Sequence, residues 1–124
     1  MRLLTHNQLV CVRKGCQNAF PLQLTFLRVE QEDSEPNASM VLHLLPRLEY
    51  PVLLACAKAL RIDGLPDALP ESINIVDHRD LLELLHTVLF DIHVVTGSLT
   101  CPVCSHIYDI VMGIPSMRVD EKDL

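Results

Sequence analysis

An α+β fold, with a small zinc-ribbon-like antiparallel sheet formed by both termini and a three-helix insertion, is predicted by three observations. Two close cysteine pairs, Cys11 with Cys16 and Cys101 with Cys104, sit near opposite ends of the chain. Strand-like stretches lie beside those pairs, whereas the middle reads as helix. An acidic, turn-rich segment, Glu30-Gln-Glu-Asp-Ser-Glu-Pro-Asn37, marks the exit from the first half of the sheet. The expected organisation is a sheet domain from residues 1–36 and 92–124 and a helical sub-domain from residues 37–91.

Residues 1–12 close on Val10-Cys11-Val12 and are expected as a short apolar strand or turn running into the first metal arm, with Gly15 letting the loop turn back before Cys16. From Phe20 to Val29 the pattern alternates, so that Leu22, Leu24 and Phe26 share one face of a strand and Gln23 and Thr25 the other. Asn37 is a good N-cap for a helix carrying Met40, Val41, Leu44 and Leu45, which Pro46 interrupts. A second helix is expected from about Pro51, suited to a first helical position, to about Ile62, with Gly64 past its end. Residues 64–76, with Pro66 and Pro70, form a connection. Asp77 is expected to cap a third helix, in which Leu81, Leu84, Leu85, Val88 and Leu89 recur at helical spacing. Strand character returns at Ile92-His93-Val94-Val95, and a turn is expected at Gly97-Ser98 before Cys101.

Two thiols separated by two residues, with Pro102 stiffening the turn between them, can bend toward one tetrahedral ion at Zn–S distances of about 2.3 Å. Cys11 and Cys16 supply the second pair. Joining segments so far apart costs roughly 4 kcal/mol of loop closure, against about 10–16 kcal/mol from structural zinc, so the metal wins. Four sulfur ligands leave no position open for water, which makes such a centre structural. Four unrelated buried thiols are the competing reading, since free Cys is among the most buried residue types. A redox Cys-x-x-Cys usually opens a helix in a βαβ setting, whereas here an apolar strand follows. Cys56 reads as core, and His106 is the one His near enough to compete as a ligand or donate to a sulfur.

Lys and Arg number 10 against 16 Asp and Glu, a formal net charge of −6. Nucleic-acid binding rests on neutralising phosphates, so this balance counts against RNA or DNA as a direct partner, although Arg2, Arg13 and Lys14 offer a local basic patch. No Gly-rich phosphate loop can be built from Gly15, Gly64, Gly97 and Gly113, and there is neither a Gly-x-Ser-x-Gly elbow nor a His-Glu-x-x-His. A binding or scaffolding role is expected in place of catalysis. Five Cys, no apolar leader in residues 1–20 and no apolar run of membrane-span length point to a cytoplasmic or nuclear chain without a membrane. The closing Asp-Glu-Lys-Asp-Leu has the wrong order for a retention signal.

Ile107, Tyr108, Ile110, Val111, Met112, Ile114, Pro115 and Met117 form a run relieved only by Asp109, Gly113 and Ser116. Either the protein's own helices cover this strand, or part of it is an exposed edge that another protein pairs with.

Met1-Arg-Leu-Leu-Thr-His-Asn7, the Cys11 and Cys16 pair, Cys101-Pro-Val-Cys104-Ser-His-Ile-Tyr108 and Gly113-Ile-Pro-Ser-Met117 together resemble the small zinc-binding activator subunit shared by several eukaryotic and archaeal methyltransferases. Leu48-Glu49-Tyr50-Pro51 and the Leu-rich third helix are similar to that family's central part. The resemblance implies a non-catalytic partner, in 1:1 heterodimers, of S-adenosylmethionine-dependent methyltransferases acting on tRNA, rRNA and a translation termination factor. It implies Cys11, Cys16, Cys101 and Cys104 as structural zinc ligands. It also implies contact surfaces at Leu4, Thr5 and Asn7 and at Ile110, Val111, Met112, Ile114, Pro115 and Met117, with RNA met only through the complex. A zinc-ribbon module that binds RNA directly, through Arg2, Arg13 and Lys14, is the alternative.

Overall fold

A computed structural model describes residues 1–13 and 16–117. Helix α1 spans Leu3–His6, strand β1 Gln23–Gln31, helices α2 Ala38–Leu44, α3 Tyr50–Ala59 and α4 Arg79–His86, and strands β2 Ile92–Thr100, β3 Ile107–Val111 and β4 Ile114–Pro115. The strands form one antiparallel sheet in the order β1-β2-β3-β4. Its inner face and the helices share one hydrophobic core, to which Leu3, Leu22, Val41, Leu53, Leu82, Leu85, Val94, Leu99, Tyr108 and Ile110 contribute. That core draws on both the terminal segments and the residues 37–91 between them.

The three inserted helices stand where the sequence puts them, but their ends are made differently. Asn37 accepts the amide of Met40 and so caps α2, as expected. Helix α3 ends before Ile62. The amide of Arg61 bonds Lys58 O and that of Ile62 bonds Ala57 O, with Arg61 at a left-handed φ of 61°, a Schellman closure that Arg occupies in place of Gly. Asp77 does not cap α4. Its carboxylate accepts from the Asn74 side chain, its amide donates to Asn74 Oδ1, and the helix begins after His78 without a side-chain cap. The leucine stripe then continues through a π-helical turn, Thr87–Asp91. Leu82 and Leu85 of α4 and Val88 and Leu89 of the π-helical turn all face the core, while Leu81 and Leu84 remain partly exposed.

No turn forms at Gly97-Ser98, because β2 runs straight through both residues. Gly97 is there for a different reason. It lies opposite Phe26 at a bulge in the β1–β2 pairing, where a Cβ would stand 2.3 Å from Thr25 O. Only a residue without a side chain lets the two backbones approach this closely.

The N-terminal segment is helical where a strand or turn was expected. Arg2 bridges His93 of β2, and the chain then winds into α1, which sinks Leu3 and His6 into the core. The Met1 ammonium donates to Val94 O at 2.7 Å and Gly113 O at 2.6 Å, while Met1 O accepts from Val94 N. Burial holds that amine below its ordinary pKa. Asn7 donates to Glu49 O and accepts from Glu49 N, both at 2.9 Å, and so pins the start of α3, which has no side-chain cap of its own. The connection after α3 is anchored rather than loose, since the Tyr50 hydroxyl donates to Pro66 O and Leu65, Leu69 and Ile73 pack on the core. Ser34 donates to Asp91 and bonds His86 Nε2, which straps the acidic loop to the π-helical turn.

Candidate functional site

The four cysteines at the two ends of the sequence converge. Their sulfur atoms all lie within 4.8 Å of one another, with Cys11–Cys104 at 3.6 Å and Cys16–Cys101 at 3.4 Å. A tetrahedron of sulfurs around a metal at about 2.3 Å has edges near 3.8 Å, so the cluster has the dimensions of a four-thiolate centre.

Local backbone chemistry aims each pair. In the loop after Cys101, the amides of Val103 and Cys104 both donate to Cys101 Sγ at 3.4 Å, the arrangement of a metal knuckle. The turn closes through Ser105 N on Cys101 O, with Ser105 at φ 61°, and Cys101 N on His106 O. The first arm closes through Cys11 N on Ala19 O and Cys16 N on Arg13 O, with Gln17 and Asn18 both left-handed. Gly15, expected to make this turn, and Lys14 lie outside the described residues, as do residues 118–124.

Tyr108 of β3 supports the sulfurs from beneath, a role that spacing alone does not reveal. Its hydroxyl is 3.1 Å from Cys11 Sγ and accepts from the amide of Val12 at 3.2 Å, so the phenol proton is free to point at sulfur. Burial, and then the bond to Cys11, push the Tyr108 hydroxyl up to about 12, which keeps it a donor. His106 is not among the clustered ligands. Its ring packs edge-on against Tyr108 at 4.6 Å. Through its backbone His106 draws the Cys104 thiol down to about 6, whereas the hydrogen bond with Cys101 holds the Cys16 thiol up to about 12. Four thiols in one cluster do not ionise together unaided. A divalent cation held by these four sulfurs would supply the compensating charge and take the place of their protons.

Strand β3 resolves the apolar run into two faces. Tyr108 and Ile110 are 1% exposed and face the core, while Ile107 and Val111 point outward at 59% and 60%. Ile110, expected at a contact surface, is thus part of the protein's own interior, and so is Asn7, which is spent on Glu49. Beyond Val111 the chain makes a two-residue hairpin turn. Met112 and Gly113 both have positive φ, 52° and 78°, the geometry of a type I′ turn. Met112 pays for its place there in strain and stands 84% exposed at the tip, next to Ile114 at 70%. Pro115 and Met117 are half-buried, Thr5 is exposed and Leu4 half-buried.

β4 pairs with Ile110 and Val111 and the amide of Ser116 donates to Asp109 O, so among the described residues Ile107 and Tyr108 at the start of β3 have a strand on one side alone. Among the described residues, the result is an open strand edge beside a row of four exposed apolar side chains, Ile107, Val111, Met112 and Ile114. Of the basic patch considered above, Arg2 holds its guanidinium over the Phe90 ring, 5.9 Å from the centroid.

A four-thiol cluster of metal-ribbon dimensions that closes a small sheet, joined among the described residues to an open apolar edge, defines a ribbon-type interaction protein. The chain matches the family model described as Trm112p-like protein over residues 2–113, and it belongs to that family. It is 33% identical over 127 residues to the multifunctional methyltransferase subunit trm112 of Schizosaccharomyces pombe, with the whole of both chains covered. It is 34% identical to the subunit TRM112 of Saccharomyces cerevisiae, over 94% of this chain and 95% of the relative. Among solved structures it resembles the E. cuniculi Mtq2-Trm112 complex, described as responsible for methylation of the eRF1 translation termination factor, with a TM-score of 0.58, 25% identity and 94% of each chain covered.

Proposed function

We propose that this chain is a non-catalytic activator and stabilising subunit of S-adenosylmethionine-dependent methyltransferases, which it binds as a 1:1 heterodimer through the edge of β3 and the β3–β4 hairpin. The observation that carries the reading is the row of Ile107, Val111, Met112 and Ile114 exposed beside an unpaired strand edge. Such an edge is a template for pairing, and its side chains supply the apolar area that pairing buries. Relatives named as methyltransferase subunits, and a structural neighbour assembled with Mtq2, support that kind of partner. Pro115 and Met117 continue the hairpin, and Leu4 and Thr5 follow Met1, whose ammonium donates to Gly113 O of that hairpin, so these four are the further contact residues of the proposed interface.

Zinc is the metal that suits four cysteine sulfurs in this geometry, held by Cys11, Cys16, Cys101 and Cys104. The ion would hold the ends of the ribbon and so the hairpin. The modified substrates are tRNA, rRNA and a translation termination factor, reached through the catalytic subunit. The net charge of −6 weighs against direct RNA binding. Five cysteines without a disulfide suit the reducing cytoplasm and nucleus.

The test sets two substitutions on the open face against one on the buried face of β3. Ile114→Asp and Val111→Asp, on the open face, are expected to leave metal content and melting temperature unchanged. They should weaken a co-expressed methyltransferase complex by about 2–4 kcal/mol, roughly 30- to 1,000-fold. Ile110→Asp buries a charge and is expected to unfold the chain. An unchanged affinity in both surface variants would sink the proposed interface.

A further inference from the structure

Away from the metal cluster and the hairpin, a groove of about 410 Å³ runs between the outer part of α3 and β1. That volume falls within the range of small-ligand pockets. It exists because α3 presents Pro51, Ala55 and Ala59, one turn apart and exposed, with short side chains that leave room before Leu24 and Phe26 of β1. The groove is walled almost entirely by apolar side chains. The reactive pair at its wall is Cys56 and His6.

The two are bonded to each other. Cys56 Sγ is 3.4 Å from His6 Nδ1, and His6 Nε2 is 2.6 Å from Leu22 O. A carbonyl oxygen can only accept, so Nε2 carries the ring proton and Nδ1 is left as an acceptor. The Cys56 thiol therefore donates to His6, a nucleophile joined to a base whose tautomer is fixed by a third group. Burial keeps His6 below its ordinary pKa and so neutral, able to accept a proton, and pushes the Cys56 thiol up to about 11. Little free thiolate is present, so small polar electrophiles react with the sulfur slowly. A reagent held in the groove meets it differently, because sulfur then attacks while His6 takes the proton.

We propose that this groove is a covalent modification site for apolar α,β-unsaturated carbonyl compounds, which Cys56 adds to with His6 as the proton relay. Cys56 sulfur forms a bond to the β-carbon and the carbon–carbon double bond opens. The thiol proton passes to His6 Nδ1 and from there to the α-carbon. No leaving group, oxidant or reductant is involved, which suits a sulfur with little space around it. The apolar walls select the class of reagent, taking the hydrocarbon tail as the carbonyl end reaches Cys56. The site is independent of the proposed partner surface, so it stands or falls separately.

The full metal-loaded chain is treated with 2-nonenal or with acrolein, and adducts are mapped to each cysteine by peptide mass spectrometry, with glutathione as the reference thiol. Cys56 is expected to favour nonenal over acrolein by about tenfold more than glutathione does. Ala59→Phe and Ala55→Phe, at exposed helix positions, fill the groove. They should abolish that preference without changing the acrolein rate or the melting temperature. His6→Gln retains a donor toward Leu22 O but cannot relay the proton, and should slow the nonenal reaction about 100-fold. Absence of a Cys56 adduct in the wild-type chain, or an unchanged nonenal preference in both Phe variants, overturns the proposal.

Discussion

Replacing Tyr108 by Phe removes one oxygen atom from beneath the four-thiol cluster and tests how the sheet would support the proposed zinc ligands. In the intact protein that oxygen is 3.1 Å from Cys11 Sγ and accepts from Val12 N. The bond to a thiolate is charge-assisted and contributes about 1.5–3 kcal/mol. The Val12 bond contributes less, because that residue is 46% exposed and water can replace the lost acceptor. A combined loss of about 2–3 kcal/mol corresponds to a zinc affinity about 30- to 150-fold weaker, at or above the range for groups that orient metal ligands from behind. Competition with a chromophoric chelator measures the affinity, and far-ultraviolet circular dichroism shows whether the sheet survives. The phenyl ring still fills the core and still meets His106, so the fold should hold. Affinity within threefold of wild type in a folded variant would refute the claim that the hydroxyl acts on the sulfur.

Gly97→Ala forces Thr25 O to retreat by about 1 Å, from 2.3 Å to an ordinary contact near 3.4 Å. The expected cost is about 2–4 kcal/mol, read as a melting temperature lower by about 10 °C. Asn7→Ala breaks both bonds to Glu49 at a position only 4% exposed. It should destabilise the chain by about 2 kcal/mol in denaturant titration, with bound metal unchanged. His6 gives a pH signature. Its folded-state pKa is lowered, by burial above all, so the unfolded chain binds the proton first. Stability should therefore decline as pH falls below about 6.5, by at most about 1.4 kcal/mol per pH unit. The difference between wild type and His6→Gln across that window isolates this group from acid release of metal. An equal slope in the two proteins would show that His6 does not carry the effect.

How far the site could be read from the sequence depended on the range of the interaction involved. Cys101-Pro-Val-Cys104 is a local knuckle, and two residues of spacing dictate its geometry. Its pairing with Cys11 and Cys16 rests on the chemistry of four thiols. The Tyr108 hydroxyl lies 97 residues away from its sulfur partner, and no periodicity reports such a contact. Asn7 belongs to the contact surface that the family resemblance implies until Glu49 is seen beside it. Gly97 carries the usual mark of a turn, yet its use here is a close approach between strands, which depends on the β1 register. The end of α3 misled for a related reason, since Arg61 takes a left-handed conformation usually left to Gly, and Gly64 comes three residues later.

By itself the sequence determined the α+β class, the three inserted helices and the thiol set, because helical period, N-cap chemistry and metal-ligand spacing are all short-range properties. Tertiary structure alone decided which half of the apolar strand is buried in the protein's own core and which is left open. Alternation along β3 sends side chains to opposite sides whatever their hydrophobicity, and only the placement of the helices on one of those sides buries Tyr108 and Ile110 while leaving Ile107 and Val111 open.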